Sequence, residues 1–147
     1  MSVVTTQIDI DAPPEDVWAL VIDPERTAEW VTIHRRMKSH SDGDPRVGYE
    51  MRQTLSLRGA KFDVKWKLTE VDAPRHARWE GRGPARSHAS TEYKLTPMNG
   101  GTRFDYRNEF KAPLGPLGAV ASHALVGGLP EKEANASLAR LKALLES

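Results

Sequence analysis

From Tyr49 to Phe110 apolar and polar residues take turns in five successive runs, a pattern that suits an antiparallel sheet with one dry and one wet face. Tyr49, Met51, Gln53, Leu55 and Leu57 share one parity, and Phe62, Val64, Trp66 and Leu68 another, with a turn at Gly59-Ala60 between them. Ala77, Trp79 and Gly81 follow, then Ser87, Ala89, Thr91, Tyr93 and Leu95, then Phe104, Tyr106, Asn108 and Phe110. Asn99-Gly100-Gly101 is the expected hairpin turn between the last two runs.

An earlier strand is written in Val4, Thr6, Ile8 and Ile10, which alternate with Val3, Thr5, Gln7 and Asp9. A short helix is expected next, with Asp11 or Ala12 as its cap, prolines at its first positions, and Val17, Leu20 and Val21 on one side. Asp23-Pro24 stops it, and Pro24 to Trp30 reads as a second short helix before Thr32-Ile33-His34 returns to extended chain. At the far end Ala134, Leu138, Leu141 and Leu145 repeat at helical spacing, and a helix of that length covers the dry face of the sheet. Gly127-Gly128-Leu129-Pro130 interrupts the C-terminal region, so two helical pieces are expected there. The fold class is therefore α+β, with about seven antiparallel strands curved round a long C-terminal helix and two short helices after the first strand.

At 147 residues one domain spanning 1–147 is expected, and 39% hydrophobic residues with four Trp supply a core without metal or disulfide staples. Lys and Arg number 21 against 20 Asp and Glu, a net charge of +1, so no long-range field draws the chain to nucleic acid or an anionic membrane. The absence of Cys removes thiolate chemistry and fits a reducing compartment. Residues 1–7 lack the features of a signal peptide, and no run is long and apolar enough to insert in a membrane. The expectation is a cytoplasmic protein.

The order of elements, with Ile8-Asp-Ile-Asp-Ala-Pro-Pro-Glu-Asp-Val-Trp18, Asp23-Pro24 through Glu29-Trp30, Gly100-Gly-Thr-Arg103 and the stretch from Glu131 to Leu145, resembles the START-related SRPBCC superfamily of polyketide cyclase/dehydrase-like proteins. That resemblance spans nearly the whole chain and implies the helix-grip fold. It implies less about function, because the superfamily places lipid carriers, hormone receptors, aromatase/cyclases and toxin-like proteins on one scaffold. Glu29-Trp-Val-Thr-Ile-His34 with Gly115-Pro-Leu-Gly118 is most similar to actinobacterial members known as toxins of toxin–antitoxin pairs. The glycine–proline interruption at 127–130 departs from the unbroken final helix usual in the family.

In a helix-grip fold the sheet and final helix enclose a cavity, and inward parity nominates its lining. The candidates are Tyr49, Met51 and Gln53; Phe62, Val64 and Trp66; Trp79; Thr91 and Tyr93; and Phe104, Tyr106 and Asn108. An apolar chamber with a few convergent polar groups is the usual form of a small-molecule site, on the order of several hundred Å³. The alternative is that these aromatics fill the core. Gln53, Thr91 and Asn108, each costing about 1–3 kcal/mol if buried unpaired, point to a hydrated or ligand-filled interior unless they satisfy one another.

An enzyme of this fold needs an inward acid, base or polarising tyrosine. Tyr49, Tyr93 and Tyr106 are available, but no Asp, Glu or His clearly shares the inward parity of the strands. Histidines 34, 40, 76, 88 and 123 show no metal-ligand spacing, so no metal site and no cofactor are expected. His76 and His88 have outward parity and read as solvated, whereas His34 and His123 are placed to meet a cavity mouth. Gly81-Arg-Gly-Pro-Ala-Arg86 precedes a strand instead of a helix and is read as a turn, not a phosphate cradle. Arg35, Arg36 and Lys38 with Arg75, Arg78, Arg82 and Arg86 form a basic set, but interleaved Glu80, Glu92, Asp105 and Glu109 point to cross-strand ion pairs on a solvated face.

Leu114, Leu117, Val120, Leu125 and Val126 make 114–130 apolar on most sides, a wall of the chamber or a surface for a second subunit or protein partner. The leading reading is a non-enzymatic carrier or binder of a hydrophobic small molecule such as a lipid, polyketide or isoprenoid. The alternatives are a toxin-like regulatory protein acting through a protein or ribosome surface, and a polyketide aromatase/cyclase.

Overall fold

The computed structural model describes residues 2–111 and 128–147. Seven strands, β1 (Ser2–Ile10), β2 (His34–His40), β3 (Glu50–Leu57), β4 (Ala60–Asp72), β5 (His76–Arg82), β6 (His88–Met98) and β7 (Gly101–Lys111), form one sheet in the order β1-β7-β6-β5-β4-β3-β2. Every pairing is antiparallel. Strands β2 to β7 follow one another as a meander, and β1 closes on β7. The connection from β1 to β2 must therefore cross the whole sheet, which is the task of α1 (Pro14–Val21), a 3-10 turn at Pro24–Arg26 and α2 (Thr27–Trp30). The last helix, α3 (Leu129–Glu146), packs on β1 and α2. This is the helix-grip α+β fold, with the sheet curved round α3.

Both hairpin turns end one residue earlier than the sequence reading, the first shifted by one position and the second shortened to two residues. Arg58 and Gly59, with φ of 48° and 78°, join Leu57 directly to Ala60, and Asn99 and Gly100, at 43° and 85°, join Met98 to Gly101. Positive φ at both central residues is the two-residue turn whose twist matches that of the flanking strands. Ala60 and Gly101 are thus already strand residues.

The start of α1 also differs from expectation. Pro13, extended at φ −66° and ψ 153°, is the cap, without a side-chain hydrogen bond, and its carbonyl accepts from the Asp16 and Val17 amides at 3.0 and 3.2 Å. A residue before proline is pushed out of the helical region, and Ala12 and Pro13 both precede prolines, so neither Asp11 nor Ala12 can open the helix. In β4 a register shift between Leu68 and Glu70 returns Val71 to the inner face opposite Ala77, and the strand runs past the expected Leu68 to Asp72. At 127–130 the interruption is a helix start: Gly128 caps α3 at φ 70° and Pro130 lies in its first turn, where it costs no internal hydrogen bond. The helical piece expected before it, with Leu114, Leu117, Val120, His123, Leu125 and Val126, lies outside the described residues.

The core sits between the inner face of the sheet, α1, α2 and α3. Val17, Leu20, Trp30, Leu68, Phe104, Leu138 and Leu141 are almost completely buried, each worth about 1.5–3 kcal/mol. Polar contacts set α3 in register along β1. The Thr6 hydroxyl donates to Asn135 Oδ1 at 2.6 Å, Lys142 Nζ to the Asp9 carbonyl at 2.6 Å, and the Asp11 amide to Glu146 Oε2 at 2.8 Å.

Candidate functional site

Between the inner face of the sheet, the chain from the end of α1 through α2, and the first turns of α3 lies a partly open cavity of about 150 Å³. Strand β3 gives it Met51 and Gln53, β4 gives Phe62, Val64 and Trp66, and β5 gives Trp79. Thr91 and Tyr93 of β6 face Asn108 and Tyr106 of β7, their register partners. Two residues expected in the lining stand elsewhere. Phe104 is sealed in the core against Trp30 and Tyr93, with ring centroids 6.2 and 5.5 Å away. Tyr49, just before β3, packs edge-on to Trp79 and turns its hydroxyl to His40 Nδ1 at 3.0 Å. Parity put both on the correct face but not at the correct end of it.

The buried polar side chains are partnered. The Trp66 indole, which can only donate, gives its proton to Gln53 Oε1 at 2.9 Å, so the Gln53 amide nitrogen donates to His34 Nδ1 at 2.7 Å. His34 is thereby held as the neutral tautomer protonated on Nε2, and burial lowers its pKa below 6.5. His34 thus stands behind Gln53, against an outer groove that it shares with Met37 and His40, and not in the cavity mouth as expected. On the other wall the Thr91 hydroxyl donates to Asn108 Oδ1 at 3.0 Å, which leaves the Asn108 N–H groups as that amide's remaining polar function.

Tyr93 and Tyr106 stack with centroids 6.0 Å apart. Burial pushes the Tyr106 phenol up to about 12, with the Thr91 hydroxyl pulling slightly the other way. Burial, then the neighbouring Tyr106, raises Tyr93 further. Both raised values keep the phenols protonated at physiological pH.

The helices contribute lining that strand parity did not disclose. Trp30, 2% exposed, meets Tyr93 edge-on at 5.9 Å. From α3 come Pro130, Glu133, Ala134 and Ser137. Glu133 Oε2 accepts from the Thr32 hydroxyl at 2.5 Å, and Ser137 Oγ accepts from the Thr32 amide at 3.0 Å. The sequence signal was the helical spacing of 130, 133/134 and 137, which flanks the Ala134–Leu138–Leu141 stripe already read as buried.

On the outer face, among the described residues, charges pair across strands as expected and, less often, along one strand. Arg78 Nε donates to Glu80 at 2.8 Å, and Arg107 pairs with Glu109, each two residues along its own strand; across strands, Arg103 meets Asp9 at 2.9 Å. His88 is exposed at the cavity rim. His76, expected to be solvated, is half-buried and bonds Glu92 at 2.7 Å. Among the described residues Glu70, His76 and Glu92 bring ligand-type atoms within 4.8 Å of one another. Three separate strands supply them, which is why no linear spacing announced the group. Arg78 is the register partner of both Glu70 and Glu92 and supplies their countercharge.

A family model described as polyketide cyclase/dehydrase and lipid transport matches residues 1–146. Toxin Rv0910 of Mycobacterium tuberculosis H37Rv is 26% identical over 137 residues, covering 92% of this chain and 95% of that protein. Among solved structures, TTHA0849 from Thermus thermophilus superposes with a TM-score of 0.80 at 19% identity, over 99% of this chain and 97% of that one. A conserved protein from Geobacillus kaustophilus gives 0.76 at 16%, over 99% and 95%. Those two likenesses carry the fold alone. Among the described residues no helix is long and apolar enough to cross a membrane.

Proposed function

The chain belongs to the polyketide cyclase/dehydrase and lipid transport family, and from that premise we propose that it binds a compact apolar molecule in the cavity, as a single cytoplasmic domain. The observation that carries the reading is the cavity itself: a partly open space walled by Trp30, Trp66, Trp79 and two tyrosines, with few polar groups turned into it. Its 150 Å³ is smaller than the several hundred Å³ expected from sequence. A space of that order holds a benzene-sized ring in a protein core, so the ligand is a ring or short branched chain in preference to a long acyl lipid.

Native mass spectrometry of the purified protein, followed by solvent extraction, tests this. A stoichiometric apolar passenger is the expected result. An empty protein that also stays empty against a panel of single-ring and short-chain compounds overturns it.

The likeness to a protein named a toxin supports a second reading, a regulatory protein that acts through its surface. Growth arrest on expression that persists when the cavity is filled by a Val64→Phe substitution would favour that reading over the first.

A further inference from the structure

We infer that the cavity selects ligands carrying a hydrogen-bond-donating, cationic head, and that Glu133 is the residue that reads it. This rests on the ligand-binding reading above and deepens it. The chain has 21 Lys and Arg, yet neither type is found among the described residues that line the cavity. Two carboxylate residues do line it, Asp23 and Glu133. Asp23 is engaged locally, its Oδ1 accepting from the Glu25 amide at 2.9 Å to start the 3-10 turn.

Glu133 is held for a different task. It projects from α3, and the Thr32 hydroxyl grips one of its oxygens at 2.5 Å and its backbone carbonyl at 3.3 Å. Thr32 is itself fixed by Ser137, whose Oγ accepts from the Thr32 amide at 3.0 Å. A half-buried carboxylate aimed by Thr32 costs little further ordering when a donor arrives, and this makes a charge-assisted hydrogen bond strong. An anionic head finds two carboxylates and, among the described lining residues, no lysine or arginine, with the uncharged Asn108 N–H groups and the exposed His88 at the rim to meet it. The positive end of α3 is already met by Glu131 in its first turn.

The experiment is calorimetric titration of the full chain with three probes that share one ring and differ only in the head: benzylamine, benzyl alcohol and benzoate, at neutral pH. Benzylamine is expected to bind roughly tenfold tighter than benzyl alcohol, and benzoate weakest. Glu133→Gln is expected to bring benzylamine down to the level of the alcohol. Thr32→Val, which frees the carboxylate to wander, is expected to reduce the same preference in part. Benzoate binding as tightly as benzylamine, or a preference untouched by both substitutions, overturns the inference and leaves the cavity reading standing. If none of the three probes binds, the cavity reading falls and the inference falls with it.

Discussion

The inner face of the sheet has two ends that obey one alternation and end in different states. At one end Ile10, Leu68, Ala77, Leu95 and Phe104 are sealed. At the other Met51, Leu55, Phe62, Tyr106, Asn108 and Phe110 are only half-buried and surround a space. Among the described residues the difference comes from the lid. Helix α1 sets Val17 and Leu20, both wholly buried, onto β6 and β7, and the second half of α3 adds Leu138 and Leu141. The first turns of α3 offer the other end Glu133, Ala134 and Ser137 in place of large apolar groups. Small and polar residues there leave the sheet's aromatics facing one another across a gap.

The sharpest way to break this contrast is truncation of one phenylalanine at each end. Phe104→Ala removes a fully buried ring that touches Trp30 and Tyr93, and is expected to cost about 3–5 kcal/mol. Phe62→Ala removes a half-buried ring from the cavity wall and is expected to cost about 1–2 kcal/mol. Urea denaturation of both variants decides it; equal losses would mean that the cavity end is packed as tightly as the other.

Gly81 sharpens the same comparison from the backbone. A Cβ built there would stand 2.7 Å from Trp66 Cε3 and 2.8 Å from Val64 Cγ1, so glycine is what lets Trp66 lie across β5 and wall the cavity. Gly81→Ala is expected to cost about 1–3 kcal/mol by overpacking and to weaken any single-ring ligand through the displaced indole. Unchanged stability together with unchanged ligand affinity would show that Trp66 is free to move. Gln53→Leu attacks the cavity end by a different route. It leaves the Trp66 N–H without its acceptor, an expected loss of about 1–3 kcal/mol measured by the same denaturation.

These experiments also mark what was legible in the sequence. Strand alternation is set by side-chain chemistry residue by residue, so the succession of strands, the wet face and the inward parity of the residues from Met51 to Asn108 could be read directly. How far a residue lies along the inner face is set by what covers it: for Phe104 that information sits in Trp30 of α2, and for Tyr49 in Trp79 and His40, which strand parity does not connect to them. For the same reason the helix-borne lining was missed. Trp30, Glu133 and Ser137 have no strand parity to betray them. The polar residues were readable as a problem and not as a solution: Gln53 pairs with Trp66 and His34, and Thr91 with Asn108, through contacts that only register and curvature create.

The smallest expected effect concerns how the cavity end responds to acid. In the chain from Trp66 through Gln53 to His34 every donor meets an acceptor only while His34 Nδ1 is unprotonated. Protonation makes Nδ1 a donor facing the Gln53 N–H, and a flipped Gln53 would set its amide N–H against the indole N–H. Burial holds the His34 pKa below its ordinary 6.5 in the folded chain. The unfolded chain therefore takes up this proton first as pH falls, and stability is level above pH 6.5 and declines from there toward the lowered folded value. The carboxylates whose pKa values are lowered by partners, Asp9 by Arg103 and Glu50 by Lys65, start from 3.8 and 4.5 and act in a more acid window. Chemical denaturation at a series of pH values should thus give a shallower slope for His34→Gln than for the natural chain as pH falls below 6.5, with the two curves parallel above it. Parallel curves throughout would separate His34 from the cavity wall, and would leave the two ends of the inner face distinguished by packing alone.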